Sequence, residues 1–130
     1  MAMDASDIKN RTRSLGVKTI RMVESLPKSK TADIIGTQMI RCATSVGANY
    51  RAACRAHSHA DFIAKLGIGE EEVDEVIYWL EVLSETGIAI EERMCDRRDE
   101  ANRIVAMVVS SINTARRRSG RIVKPAERKA

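Results

Sequence analysis

The chain has only two prolines, Pro27 and Pro125, so nothing between them forbids helix: no residue there lacks its backbone donor or clashes with the preceding turn. Within that span and before it, apolar residues recur at steps of three and four, and no alternating strand pattern is present. Four segments carry this period. The first runs from about Ser6 or Asp7 to Leu26, with Ile8, Thr12, Leu15, Thr19, Met22, Val23 and Leu26 on one face and Asp4 or Ser6 as N-cap. Pro27 ends it, and Ser29 or Thr31 caps the next. The second covers Ala32–Ala56, with Ile35, Met39, Cys42, Ala43, Val46, Tyr50, Ala53 and Cys54 in one sector. Gly36 and Gly47 each cost such a helix about 1 kcal/mol relative to Ala, a loss that close approach of a neighbouring helix offsets. The third runs from His59 to Thr86 behind the capping signature Ser58-x-x-Asp61. Its core stripe is Phe62, Leu66, Val73, Val76, Ile77, Leu80 and Leu83, and Gly87 is placed as its C′ residue. The fourth runs from Ile90 or Glu91 to Arg116, with Ile90, Met94, Ala101, Ile104, Val105, Val108 and Ile112 on one side.

Short connections force consecutive helices to pack side by side. The expected fold is therefore all-α, an antiparallel up-down-up-down four-helix bundle over residues 1–118. Residues 119–130 are expected to be a basic, mobile tail. At 130 residues the chain suits one domain. Phe62, Tyr50, Tyr78 and Trp79 are its only aromatics, so aliphatic side chains, Ala and Met must fill the core. No apolar run approaches the roughly 20 residues of a membrane span, and the N-terminus lacks the apolar stretch of a signal peptide. No membrane partner is expected, and the expected compartment is the cytoplasm. Cys42 and Cys54 lie about 18 Å apart along one helix, too far for a disulfide. With Cys95 they are expected to be reduced thiols packed as small apolar residues.

Charge is segregated. Residues 1–57 hold ten Lys/Arg against four Asp/Glu, residues 58–115 hold five against thirteen, and residues 116–130 hold seven against one. Such halves attract each other, within a chain or between chains. Arg41, Arg51 and Arg55 fall within an arc of about 80° on the second helix. They are candidates for phosphate contact, and the competing reading pairs them with the acids of the third helix, in the same chain or the next. Arg116, Arg117, Arg118, Arg121 and Lys124 are candidates for salt-sensitive nucleic-acid binding. Off the core stripe of the third helix lie Ile68, Tyr78, Trp79 and Val82, and off that of the first lie Val17 and Ile20. A bundle apolar on more than one face has a partner to cover it, so these six are candidate oligomer-interface residues, with Trp79 as the anchor.

The residues of a catalyst are missing. Ser45 and Asn49, one turn apart, have no recognisable base beside them, and Asn49 is expected to hydrogen-bond across helices. Cys54, His57, His59 and Asp61 straddle a helix end without metal-ligand spacing. The acids Glu70–Glu72, Asp74 and Glu75 lack the His that a carboxylate-bridged metal bundle needs. No cofactor is expected, and none of the phosphate-binding loops or hydrolytic triads is present.

The LPK turn before the second helix, Arg41-x-x-x-Ser45-Val46-Gly47-Ala48-Asn49, Ser58-x-x-Asp61-Phe62-Ile63 and Tyr78-Trp79-Leu80 together resemble the four-helix-bundle proteins of ribosomal-RNA intervening sequences. The resemblance is good from Leu15 to Ile88. It implies a homopentamer without enzymatic activity. It also implies kinship with the accessory variability protein of diversity-generating retroelements, and hence a reverse transcriptase, RNA or DNA as possible partners. The expectation is a non-enzymatic homo-oligomeric scaffold or adaptor; the alternative is a protein-protein interaction module with no nucleic-acid contact.

Overall fold

In the computed structural model, residues 4–122 are described, the last three as helix backbone. They form α1 (Ala5–Glu24), α2 (Lys30–Cys54), α3 (His59–Glu85) and α4 (Glu91–Ile122). Each of the first three starts where a side chain takes up an orphan amide. Asp4 accepts from the N–H of Asp7 at 2.9 Å, Ser29 from Ala32 at 3.0 Å and Ser58 from Asp61 at 3.0 Å. Ends are equally local. Gly87 has φ +75°, a left-handed conformation that only glycine adopts without strain. Its N–H donates to the Ser84 carbonyl at 3.1 Å, and Ala89 N–H returns to Leu83 at 3.1 Å.

The core follows the three-and-four spacing. Met39, Cys42, Ala43, Val73, Leu83, Met94, Ala101 and Ile104 are completely buried. Burying a large aliphatic side chain is worth about 1.5–3 kcal/mol, so these stripes supply the drive for the bundle. Thr12 and Thr19 are buried with them and satisfy their hydroxyls within α1, donating to the carbonyls of Ile8 at 2.9 Å and Leu15 at 2.7 Å. No described helix is long and apolar enough to cross a membrane.

Packing is uneven around the bundle. α2 packs extensively on both α1 and α3, and α3 on α4, whereas α1 meets α4 only lightly. The tight α1–α2 seam rests on glycine. A Cβ on Gly36 would stand 2.5 Å from Val23 Cγ1, and one on Gly47 would stand 3.4 Å from the Thr12 backbone.

Four expectations are corrected. α4 continues to Ile122, six residues past Arg116, running through Gly120 with no proline to stop it before Pro125. Ile90 is exposed, since it precedes α4, where its carbonyl receives the Met94 amide at 3.2 Å. Cys54, the last residue of α2, has run past its packing partners and is exposed, and Cys95 lies on the solvent side of α4.

The two α2 glycines should respond differently to an added methyl. Gly47→Ala meets only ordinary contact and should gain up to about 1 kcal/mol of helix propensity. Gly36→Ala drives a methyl into a stiff, β-branched side chain and should cost about 1–3 kcal/mol. Val23→Ala in the same chain should remove most of the difference. Urea unfolding of the three variants checks this, and a Gly36→Ala protein as stable as Gly47→Ala would contradict it.

Candidate subunit and nucleic-acid interfaces

Arg41 sits on the α3 side of α2. Its guanidinium donates to both oxygens of Glu75, at 2.9 and 2.8 Å, and to Glu72 at 3.4 and 3.2 Å. Glu72 and Glu75 lie three residues apart and so share a face. One turn further on, the Trp79 indole N–H donates to Glu75 Oε2 at 3.2 Å. Tyr78 meets Trp79 edge-on, with ring centroids 5.0 Å apart and planes at 71°. The hydrogen bond to Glu75 and the charge of Glu72 raise the Arg41 pKa further. Partial burial works to raise that of Glu75, but the bonds from Trp79 and Arg41 outweigh it and hold the carboxyl below the usual range. Half of the Arg41 side chain faces water, so the pair orients more than it stabilises. Of the two readings of the arginine arc, Arg41 takes the ion pair, within its own chain.

Arg51 and Arg55 are exposed and form no ion pair among the described residues. Arg51 borders a shallow groove of about 260 Å³ between α1 and α2. Its rim includes Lys9, Arg13, Val17 and Ile20, and its floor is Gly16, Gly47 and Ala48. The six apolar candidates therefore form two patches. Val17, exposed, and Ile20, half-buried, belong to this groove. Ile68 and Tyr78, exposed, and Trp79 and Val82, half-buried against the core, belong to α3. Trp79 is tied to Glu75 within its own chain, so Tyr78 is the freer aromatic.

Arg116, Arg117 and Arg118 lie exposed on α4, with Arg117 donating to Thr114 Oγ1 at 3.2 Å. Arg121 falls in the last turn of α4, and Lys124 lies outside the described residues. Asn49 does not make the expected cross-helix bond. Its amide donates to the carbonyl and the hydroxyl of Ser45, both at 2.9 Å, one turn back on α2. The i,i+4 spacing that puts the two side chains together makes the local bond the shorter reach.

Three features escaped the sequence. Lys9 and Arg13 share the groove with Arg51, which only the α1–α2 pairing places. A cleft of about 750 Å³ opens where α1 begins, α2 gives way to α3, and α4 passes by. His57, His59 and Arg118 line it. Its signal in the sequence is the run of small residues on one side of α4, Ala106, Ser110, Ser111, Thr114 and Ala115, which leave space unfilled. The third is the Cys42 thiol, pushed up to about 12 by burial and then by the charges of Glu75 and Glu72. Among the described residues no three His, Cys, Asp or Glu side chains converge as a metal site.

Bundle, caps and surfaces together define a helical protein whose distinctive groups lie on its outside. The family described as 23S rRNA-intervening sequence protein matches residues 4–110, and this chain belongs to it. A solved protein of unknown function from the S23 ribosomal protein family of Bacteroides thetaiotaomicron is 31% identical. The match covers 85% of this chain and 99% of that one, with a TM-score of 0.80. No curated protein matches.

The thiolate is the reactive form of cysteine. At mildly alkaline pH the exposed Cys54 and Cys95 should react with a disulfide reagent at once, and Cys42 only as the bundle opens. A native titration of two fast thiols, rising to three in guanidinium, is expected; three fast thiols in the native protein would contradict it.

Proposed function

We propose that this protein is a non-enzymatic homo-oligomer, a pentamer by the resemblance, that acts as a scaffold or adaptor for RNA or DNA or for an enzyme that works on them, a reverse transcriptase among them. The observation that carries this reading is the separation of charge and apolar surface. The α1–α2 groove combines Lys9, Arg13 and Arg51 with Val17 and Ile20. The outer face of α3 combines Glu71 and Asp74 with Ile68 and Tyr78, all exposed. One face complements the other, so a copy can dock its α3 into the groove of the next, with apolar contact supplying affinity and charge supplying register.

That contact leaves Arg55 and, on α4, the exposed Arg116, Arg117 and Arg118 available to phosphates. The descriptions of the family, by an intervening sequence in 23S rRNA, and of the solved relative, by a ribosomal protein family, support RNA as the first ligand to try.

Val17→Asp and Tyr78→Ala are surface changes that should leave the fold intact and lower the mass measured by light scattering. An unchanged mass in both would remove these faces from the contact. A fluorescent single-stranded RNA should bind at low salt, with affinity falling steeply as salt rises. Changing Arg116, Arg117 and Arg118 together to Gln should shallow the log–log salt slope by about 2, since single strands contribute roughly 0.7 per phosphate contact. RNA and DNA binding undetectable at low salt would leave the protein-only module standing instead.

A further inference from the structure

We propose that the cleft between α1, α4 and the α2–α3 link is a binding site for a small organophosphate, a phosphomonoester on a planar or apolar body. His57, His59 and Arg118 receive the phosphate, and Phe62 and Met107 carry the body.

The cleft's size, about 750 Å³, lies within the roughly 300–1,000 Å³ of sites that hold small molecules. Its chemistry is one-sided. Two imidazoles, a guanidinium and several hydroxyls face it, and none of its lining residues is Asp or Glu. The carboxylate next along α3, Asp61, is already engaged by Lys65 at 3.1 Å. Donors without a competing acid select an anion, and guanidinium with imidazole suits phosphate. The cleft also takes in the amino end of α3, whose first-turn amides add partial positive charge. Also lining the cleft, Phe62 and Met107 are only partly buried and offer a ring face and a polarisable thioether. An inorganic anion would use only half of this surface; a nucleoside monophosphate would use both.

The bundle's construction explains why the space exists. α1 meets α4 lightly, and five of the α4 residues facing the gap, Ala106, Ser110, Ser111, Thr114 and Ala115, are small. Ser111 turns its hydroxyl back to the Met107 carbonyl at 3.1 Å, while Ser110 makes no hydrogen bond among the described residues and is exposed to the cleft.

The protein, titrated with adenosine monophosphate, adenosine and inorganic phosphate and followed by amide NMR shifts, tests this. Adenosine monophosphate should move the signals of His57, His59, Phe62 and Met107, and should bind about tenfold more tightly than either fragment, the gain expected of one charge-assisted set of contacts. The double variant His57→Gln with His59→Gln should weaken it about tenfold by losing the imidazole donors. Ala106→Trp, which fills the cleft from an exposed position, should abolish it. Both variants should keep the thermal midpoint, the mass and the RNA binding of the parent, which separates this site from the surfaces proposed above. Absence of saturable shifts in the cleft, equal binding by adenosine or by phosphate alone, or full affinity in both variants would overturn it.

Discussion

The approach of α1 to α2, tightest at Gly36, sets the rest of the architecture. A methyl at Gly36 would collide with Val23, and at Gly47 the α1 backbone itself is the neighbour. α1 and α2 pack extensively on one another. α1 has only 20 residues to α4's 32, about 30 Å against 48 Å at 1.5 Å per residue. Having committed its apolar stripe to α2, it has little left with which to close the circle. The fourth seam is therefore loose, and small residues on α4 leave the cleft at its end. A tight contact on one side and an opening on the other are consequences of the same short helix.

The apolar period made the fold legible, because burial is a sum over many residues and tolerates individual errors. Leu15, Met39, Val76 and Ile104 all lie where a 100° turn per residue puts them. Cys54 and Ile90 fail for a common reason: the period says which side a residue faces but not whether a partner extends that far. The caps at Ser29, Ser58 and Gly87 were legible because capping is decided within four residues. Surfaces were much less so. The arc of Arg41, Arg51 and Arg55 is correct as geometry, yet the three residues have different neighbours, and only tertiary packing brings Glu75 to one and Lys9 and Arg13 to another. Asn49 reversed its expectation because a partner one turn away on the same helix competes with one across a seam. The cleft depends on what α1 does not reach, and a deficit of contact leaves no periodic trace.

The Arg41–Glu75–Trp79 chain shows how one polar cluster shapes a surface without adding much stability. Exposed ion pairs contribute little, and this one is half in water. It nevertheless orients the indole, which in turn sets the edge against which Tyr78 rests. The phenol is thereby presented outward on α3 beside Glu71 and Asp74. Burial, and after it the charges of Glu75 and Glu72, keep the Cys42 thiol protonated, so the core at this level carries no charge.

Direction follows from the order of the helices. α1 and α3 stand diagonally across the bundle, since each packs mainly on α2 or α4. The basic groove and the acidic α3 face consequently look away from each other, and no single protomer can satisfy both from within. A two-fold contact would set like against like, groove on groove or acid on acid. Charge disfavours that arrangement, and favours groove against α3. Such a contact is heterologous, with each copy offering one face forward and the other back, and it either closes into a ring or continues as a filament. An odd-numbered ring cannot be assembled from two-fold contacts alone. The placement of Lys9, Arg13 and Arg51 on one side and of Glu71 and Asp74 on the other is thus what gives the proposed groove-to-α3 contact its head-to-tail sense.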